Sequence, residues 1–231
     1  MKRSAVNAIL RSSMRFLKAM KFKLPPFADW TPEEWSRKGP ECKGIIQQNL
    51  GWDITDFGSG DFAKVGLFLF TVRNGTAAEL KQGRGKLYAE KIMIVQEDQI
   101  TPTHFHAAKM EDIINRGGGN LMMRLWNATR DNQLADTAVT VSVDSVATEI
   151  PAGGLLRLQP GQSVTFPQRL YHRFWGEKGA GTVLVGEVSL VNDDHTDNVF
   201  FDKVGRFPAI DEDEAPLRLL CNDYKKYYKH A

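Results

Sequence analysis

The sequence contains few cysteines, no long apolar run and almost no excess of charge of either sign. Cys42 and Cys221 are the only cysteines among 231 residues, which is too few for a disulfide framework, and their positions do not resemble a zinc pair. We therefore expect a protein of a reducing compartment, the cytoplasm. No apolar run reaches the roughly 18 residues of a transmembrane helix, so no membrane association is expected. The 30 basic and 28 acidic residues leave a net charge of +2, which is unlike a chain that binds nucleic acid through bulk charge.

The composition that remains is typical of a folded globular domain. Hydrophobic residues make up 42% of the chain and charged residues 25%, which excludes disorder, collagen and low-complexity scaffolds as the main architecture. A chain of 231 residues allows one large domain, or one domain with a sizeable extension. It can bury a core without disulfide bonds.

The first 22 residues are basic and contain no acidic residue. This composition suits an organelle transit peptide, but nothing after Phe22 resembles a cleavage site. Their apolar residues follow helical spacing instead, so we favour an amphipathic helix docked on the body of the protein. Thr31, Pro32 and Glu34 then give the start pattern of a second helix, with a capping box. The apolar stripe of the first helix consists of Val6, Ile9, Leu10, Met14, Leu17 and Met20.

From about residue 65 the pattern changes to short apolar segments separated by turn residues such as Asn74-Gly75 and Pro160-Gly161. Strands at this spacing, without long helices between them, predict an all-β sandwich or barrel. The segment Leu217–Tyr228 is predicted to be helical, with basic residues near its end. The predicted strands are Val65–Arg73, Lys86–Gln96, Asn120–Trp126, Ala138–Val146, Leu155–Leu158, Ser163–Phe166, Tyr171–Trp175 and Thr182–Leu190.

Two of the five histidines, His104 and His106, are separated by a single residue. On a strand, residues two apart face the same side, so both imidazoles would converge on one point. Glu111 follows closely enough for the chain to turn and return a carboxylate, and His172 begins another predicted strand. Manganese, iron, cobalt, nickel and zinc all accept such a mixture of ligands. An isolated His-x-His pair often occurs by chance on a solvent-exposed strand face, but the additional presence of Glu111 and His172 favours a metal site.

These residues fit two motifs by which the sequence resembles the cupin superfamily. The first motif is His-x-His, then a glutamate, then a glycine, and it is matched by His104, His106, Glu111 and Gly117 or Gly118.

The second cupin motif spaces a glycine, a proline and a histidine as in Gly161, Pro167 and His172. Arg169 puts a large cation where the family makes a bare glycine turn, and Gly176 stands where an asparagine is usual. The resemblance implies a mainly β fold, a cupin (jelly-roll-like) β-barrel with N-terminal helices and a C-terminal helix. It also implies a divalent metal held by His104, His106, Glu111 and His172. We divide the chain into an N-terminal helical extension (1–62), the barrel (63–205) and a C-terminal helical segment (206–231), within one structural domain.

A narrower resemblance is carried by the segments Thr101 to Glu111, Phe166 to Trp175, Gly186 to Ser189 and Asn192 to Asn198. With the helical extensions, they make the chain similar to the D-lyxose isomerase family over nearly its whole length. The resemblance implies a manganese-dependent aldose–ketose isomerase that interconverts D-lyxose and D-xylulose, and often D-mannose and D-fructose. It also implies a homodimer.

Such a reaction needs a group that moves a proton between C2 and C1 of the sugar. Glu187 interrupts an apolar strand, and a buried carboxylate there calls for a partner or a role. Glu187 could alternatively cap a bulge at Gly186 or pair with an arginine. Lys109 lies between His106 and Glu111 and could bind a substrate oxygen or shuttle its proton, or be a solvated loop lysine.

Binding of a sugar also needs hydrogen-bonding groups and a flat apolar face. Trp126 and Phe174 could stack on the sugar, although most strand aromatics belong to the core. Arg169 and Arg173 could bind hydroxyl groups or a phosphate. Asp193 lies in a polar loop after the Glu187 strand that could cover the barrel mouth or be a plain turn.

Three alternatives remain open at this point. The same ligand set could hold iron in a cupin oxygenase. A sugar-phosphate isomerase could use the same barrel, with more basic residues in its pocket. A metal-stabilised binding or regulatory module would need no turnover, but Pro25-Pro26 follows the basic first helix and leaves no recognition helix beside it.

Overall fold

Two antiparallel β-sheets form the body of the protein in a computed structural model that describes residues 1–194, 196–207 and 209–230. The larger sheet has eight strands in the order β1-β2-β3-β12-β5-β10-β7-β8, and the smaller has five in the order β13-β4-β11-β6-β9. The mainly β architecture is as predicted. The strands are β1 (Gly51–Thr55), β2 (Leu67–Arg73), β3 (Tyr88–Val95), β4 (His104–His106), β5 (Glu111–Gly118), β6 (Leu121–Asn127), β7 (Val139–Val143), β8 (Val146–Ile150), β9 (Leu155–Leu158), β10 (Ser163–Phe166), β11 (Leu170–Gly176), β12 (Val183–Leu190) and β13 (Asn198–Phe200).

The helices lie at the two ends of the chain, apart from one short helix after β2. They are α1 (Arg3–Ala19), α2 (Pro32–Ser36), α3 (Lys43–Gln47), α4 (Ala77–Lys81) and α5 (Tyr224–Tyr227), with 3-10 turns at Pro26–Asp29, Pro40–Cys42 and Cys221–Asp223. The predicted capping box of the second helix is present: Thr31 Oγ1 accepts from Glu34 N and the Glu34 carboxylate accepts from Thr31 N. No helix in these described ranges is long and apolar enough to cross a membrane.

The alternation of side chains along β2 explains how the layers pack. Leu69 faces the core between the two sheets, where it packs with residues such as Met123 of β6. Phe68 and Phe70 face the other way and pack against Leu10 of α1. A strand buried on both faces has no polar positions to alternate with, so it reads as a continuous apolar run. The predicted amphipathic helix is confirmed, and it covers the outer face of the larger sheet.

The start of α1 is tied to the C-terminal segment by a buried arginine. Arg3 is 0% exposed, and its guanidinium lies 2.7 Å from Glu212 and 2.9 Å from Asp223. Burial alone lowers the pKa of Arg3, but its hydrogen bonds to Glu212 and Asp223 raise the pKa above its usual value. A buried cation with two carboxylate partners stays charged, so this contact holds both ends of the described chain on the barrel.

Some elements differ from the sequence expectations. β1 lies within the segment that we assigned to a helical extension, and it pairs with β2 at the edge of the larger sheet. The predicted strand Ala138–Val146 is broken into β7 and β8 by Asp144 and Ser145, which both have positive φ and form a tight hairpin turn. The C-terminal helix is shorter than predicted, because Leu220 is extended and buried and forms a bridge to Trp52.

Candidate metal centre and active site

Three histidines from two neighbouring strands of the smaller sheet come together inside the barrel. His104 and His106 are the two ends of β4, and His172 on β11 lies opposite His104 in the antiparallel register. One ring nitrogen from each of the three lies within 4.8 Å of the others, and all three side chains are buried. Because side chains alternate between the two faces of a strand, both imidazoles of β4 lie on the same side, as their spacing in the sequence predicted.

The protons on two of these rings are fixed by backbone carbonyls. His104 Nδ1 lies 2.8 Å from Pro102 O and His172 Nδ1 lies 3.0 Å from Leu170 O. A carbonyl oxygen only accepts, so Nδ1 carries the proton in each ring and Nε2 keeps its lone pair. Burial, with the neighbouring His172 and His106, lowers the pKa of His104 well below its usual value, and burial lowers the pKa of His172 to about 4. Neutral imidazoles with a free Nε2 are what a divalent metal requires.

A carboxylate reaches the same point from the opposite sheet. Glu111 is the first residue of β5, and its oxygens lie 3.3 Å from His106 Nε2 and 3.5 Å from His172 Nε2. Burial alone raises the pKa of Glu111, but the charges of His106 and Lys109 lower it well below the usual value. The structure thus brings all four predicted metal ligands together, and three imidazoles with one carboxylate fit a manganese, iron, cobalt, nickel or zinc ion.

Asp197 lies next to His106, on the Nδ1 side of the ring. Its Oδ2 lies 3.6 Å from His106 Nδ1 and has no hydrogen-bond partner, while its Oδ1 accepts from Ala108 N at 2.6 Å. A carboxylate in this position orients a ligating imidazole and raises its basicity. No separate role could be assigned to Asp197 from the sequence, where it lies in the same polar loop as Asp193.

Lys109 and Glu187 form a buried ion pair beside the ligands. Lys109 Nζ lies 2.6 Å from Glu187 Oε1 and 2.8 Å from Glu111 Oε2, although only the contact with Glu187 has hydrogen-bond geometry. Both side chains are less than one-tenth exposed, so Lys109 is not a solvated loop lysine. Ser189 Oγ also donates to Glu187 Oε1, at 3.2 Å.

The charges in this pair stabilise each other. Burial alone lowers the pKa of Lys109, but the carboxylates of Glu111 and Glu187 raise it above its usual value. Burial alone raises the pKa of Glu187, but the ammonium groups of Lys109 and Lys91 lower it. At neutral pH the lysine is therefore an ammonium group and the glutamate a carboxylate.

Several charged residues near this pair were missed by sequence analysis. Lys91 Nζ lies 3.5 Å from Glu187 and 3.3 Å from Asp194, and it donates to Asn192 Oδ1 at 2.6 Å. Arg206 Nη2 donates to Asp194 at 3.1 Å and to Asp53 at 2.6 Å. A signal for Lys91 was present, because it interrupts an apolar strand just as Glu187 does.

A cavity at the centre of the barrel is lined by the four predicted metal ligands and by Glu187, whereas Lys109 is not among its lining residues. Phe174, which was predicted to bind the substrate, lines this cavity. Besides the four predicted metal ligands, the cavity is lined by hydrophobic and polar residues, and they are Phe57, Leu67, Leu69, Lys91, Met93, Thr101, Ile113, Phe174, Glu187, Asp194, Asn198, Phe200 and Arg206.

Four of the residues predicted to bind substrate do not line this cavity. Arg173 and Trp126 lie on the outer face of the smaller sheet, because neighbouring positions on a strand face opposite sides and His172 faces inward. Arg169 is exposed and donates to Thr129 O and Asn132 Oδ1. Asp193 accepts from Thr196 Oγ1 within its own loop and lines a separate surface depression.

Arg169, which replaces a glycine of the second cupin motif, adopts a backbone conformation typical of glycine. It has φ of 62°, in the left-handed region that glycine favours. The loop therefore keeps the backbone turn that a glycine would make. The side-chain hydrogen bonds to Thr129 and Asn132 hold this conformation.

Comparison with known proteins decides the family. The model of the D-lyxose isomerase family matches residues 1–224. The chain belongs to the D-lyxose isomerase family. A D-lyxose/D-mannose isomerase from Escherichia coli O157:H7 is 49% identical over 98% of this chain and 100% of its own length. The D-lyxose/D-mannose isomerase from Serratia proteamaculans is also 49% identical, over 98% of this chain and 99% of its own length.

Solved structures agree at the level of the fold. The L-ribose isomerase of Cellulomonas parahominis, solved with L-ribose, has a TM-score of 0.59 at 15% identity and covers 91% of this chain and 98% of its own. An L-ribose isomerase mutant of Acinetobacter sp. DL28 in complex with L-ribose gives 0.59 at 14% identity, with the same coverage. The predicted cupin barrel is confirmed. As a member of the D-lyxose isomerase family, the protein is an enzyme, an aldose–ketose isomerase.

Proposed function

We propose that this isomerase interconverts D-lyxose and D-xylulose, and D-mannose and D-fructose, with manganese as its metal. The observation that carries the proposal is the meeting of His104, His106, His172, Glu111 and Glu187 in one cavity, with Lys109 in contact with both glutamates. The names of the two curated relatives support both sugars. D-Lyxose and D-mannose share their configuration at C2 and C3, so one pocket can accept both.

The metal would be held by His104, His106, His172 and Glu111. When bound, it supplies Lewis-acid polarisation of the sugar carbonyl. The residues of this chain prepare the site for it: the carbonyls of Pro102 and Leu170 fix the tautomers of two ligands. Asp197 orients His106.

Glu187 is the proposed base. Its pKa is lowered by Lys109 and Lys91, so it is ionised at neutral pH and can take the proton from C2 of the open-chain sugar. The same carboxyl group then returns the proton to C1, and the hydroxyl proton of the C2 oxygen passes to the C1 oxygen, so that C2 becomes the carbonyl. Lys109 stays protonated between Glu111 and Glu187, and its ammonium group keeps the Glu187 carboxylate ionised and in position for the proton transfer. Phe174 contributes an apolar wall that excludes water.

The charges of the cavity support a neutral sugar rather than a sugar phosphate. Lys91 and Arg206 are the additional cations in its wall, and each is paired with carboxylates. The carboxylates of Glu187, Asp194 and Asp53 balance these two cations, so no excess positive charge is left for a phosphate dianion.

The proposal includes a homodimer. Tyr88, Val188, Leu190 and Met110 are large apolar side chains that are 37–50% exposed. They are neighbours on one surface, since Leu190 lies opposite Tyr88 in the register and Leu190 N donates to Met110 O. A contiguous exposed apolar strip of this kind is typical of a protein interface, and a second copy of this chain is the proposed occupant.

Isomerisation of D-lyxose and D-mannose by chelator-stripped protein, with and without added manganese, tests the proposal. We expect ketose formation that is lost on stripping, returns with manganese, and stays absent in His172→Ala. His230→Ala, near the end of the chain, is the matched control. Formation of no ketose from either sugar by protein with bound metal would overturn the substrate assignment, and undiminished activity after stripping would overturn the metal.

A further inference from the structure

Buried polar atoms without partners are concentrated in the cavity beside the metal ligands. Among the described residues, eight buried side-chain nitrogen or oxygen atoms have no hydrogen-bond partner, and five of these belong to residues that line the cavity. Two of the five are on His106 and Glu111, which are proposed metal ligands. The other three are Thr101 Oγ1, Asn198 Oδ1 and Arg206 Nη1. Since folded proteins rarely leave buried polar groups unpaired, these three atoms need a partner that the chain does not supply.

Arg206 is held in place as a fixed donor. Its Nη2 donates to Asp53 and Asp194, and its guanidinium lies 4.5 Å from the centre of the Phe207 ring. The side chain is only 10% exposed, and Nη1 remains unpaired. The two carboxylates balance its charge together with that of Lys91. A neutral hydroxyl group therefore fits Nη1 better than an anion.

Asn198 and Thr101 lie next to the proposed ligands. Asn198 opens β13 directly opposite His106 in the register, and its Oδ1 is a free acceptor. Thr101 is fixed by its backbone, since its N–H donates to Phe174 O, and its hydroxyl can donate or accept. Together with Arg206, these two residues offer one unpaired donor, one unpaired acceptor and one unpaired group of both kinds. The hydroxyl groups of a polyol match this pattern.

An open-chain aldose has more hydroxyl groups than the oxygens at C1 and C2, and each one that is buried needs a hydrogen-bond partner. The apolar wall of Phe57, Leu69 and Met93 provides none. We propose that Thr101, Asn198 and Arg206 form the subsite that binds the hydroxyl groups of the sugar beyond C2. This inference rests on the proposed function and deepens it, because it names the residues that select the sugar.

The test measures binding of D-arabinitol, the alditol with the configuration of D-lyxose, to the manganese-loaded enzyme by calorimetry. An alditol cannot be isomerised, so the readout is independent of turnover. Thr101→Val keeps the shape of the side chain and removes its hydroxyl group, and we expect the dissociation constant to rise about threefold to tenfold. Arg206→Lys keeps the charge for Asp53 and Asp194 but removes Nη1, and we expect a rise of roughly 10-fold to 100-fold.

Matched controls separate this subsite from general effects. Thr140→Val and Arg157→Lys lie at exposed or half-exposed positions on other strands and should leave the dissociation constant unchanged. Metal content and thermal unfolding of every variant are compared with the parent protein. Wild-type affinity in both folded, metal-loaded variants overturns the subsite, as does the absence of alditol binding to a parent enzyme that isomerises D-lyxose. A parent enzyme that binds D-arabinitol but isomerises neither sugar instead overturns the proposed function.

Discussion

Lys91 on β3 lies directly opposite Glu187 on β12, and its ammonium group is 3.5 Å from the Glu187 carboxylate. Both side chains interrupt apolar strands, and both are less than one-tenth exposed. The pair is part of a buried row of alternating charges in which every carboxylate contacts a cationic side chain. The row runs through Glu111, Lys109, Glu187, Lys91, Asp194, Arg206 and Asp53.

Removing Lys91 from this row should strongly destabilise the fold. Lys91→Met leaves Glu187 and Asp194 each with one cation fewer in a buried site, and we expect a loss of about 3–5 kcal/mol in the free energy of unfolding. Urea unfolding monitored by tryptophan fluorescence measures it. Lys64→Met, at an exposed position, is the control and should change stability by less than about 0.5 kcal/mol. A loss below about 1 kcal/mol for Lys91→Met would contradict the importance of the row.

Glu187→Gln should abolish most of the turnover and leave the site assembled. The amide keeps the shape and can still accept from Lys109 but cannot take a proton from C2, so we expect kcat to fall about 10²-fold to 10⁴-fold. Initial rates with D-lyxose, combined with metal analysis of the purified variant, provide the measurement. Glu149→Gln on β8 is the matched control. Activity of Glu187→Gln within threefold of the parent would assign the base elsewhere.

Asp197→Asn should weaken metal binding without unfolding the barrel. Asp197 lies 3.6 Å from His106 Nδ1, and loss of a carboxylate that supports a ligating histidine typically costs about tenfold to hundredfold in affinity. Competition with a chromophoric chelator gives the manganese affinity. Asp202→Asn, which is exposed, should behave as the parent. Equal affinity of Asp197→Asn and the parent would show that Asp197 does not support the ligand.

The stability of the metal-free protein should fall on mild acidification. His104 and His172 have pKa values lowered in the folded state, that of His172 to about 4, so the unfolded chain binds protons first as pH drops below about 6.5. Stability is therefore complete above that pH and is lost progressively toward pH 4. Urea unfolding of chelator-treated protein between pH 7 and pH 5 measures this slope. His172→Asn should flatten it, and an unchanged slope in that variant would mean that His172 is not buried in its neutral form.

Leu190→Glu tests the proposed dimer. A charge placed in the exposed apolar strip opposite Tyr88 would be desolvated at an interface, so we expect a monomer in sedimentation velocity. Leu155→Glu on β9 changes another exposed leucine, 52% accessible, and should leave the assembly intact. A dimer that survives Leu190→Glu would place the interface on a different surface.

The metal ligands could be found from the sequence because they follow local rules. His104 and His106 are two apart on one strand, so spacing indicated that they share a site, and the resemblance to the two cupin motifs added Glu111 and His172. The role of Lys91 could not be assigned in this way, because its contact with Glu187 exists only through the register of β3 and β12. The spacing of residues within one segment does not show which distant strand that segment pairs with.

The residues predicted to bind substrate also show what local sequence rules can and cannot decide. Arg173 follows His172 directly on β11, and the period of two places it on the outer face. Alternation could therefore have excluded it. Thr101, Asn198 and Arg206 lie in loops or at strand ends, where the direction of a side chain depends on tertiary contacts. The fold class was predictable from short apolar segments, but β4 and β13, with three residues each, are too short to give a periodic pattern.

The position of β4 also decides when the metal site can form during folding. Within the described part of the chain, this strand pairs with β11 on one side and β13 on the other, and both follow much later in the sequence. Contacts between segments far apart in sequence form slowly, so the three imidazoles meet only after most of the polypeptide has been synthesised and β11 has docked. A metal held by all three imidazoles would therefore bind a chain in which β4 and β11 are already paired. It would stabilise this folded state by mass action.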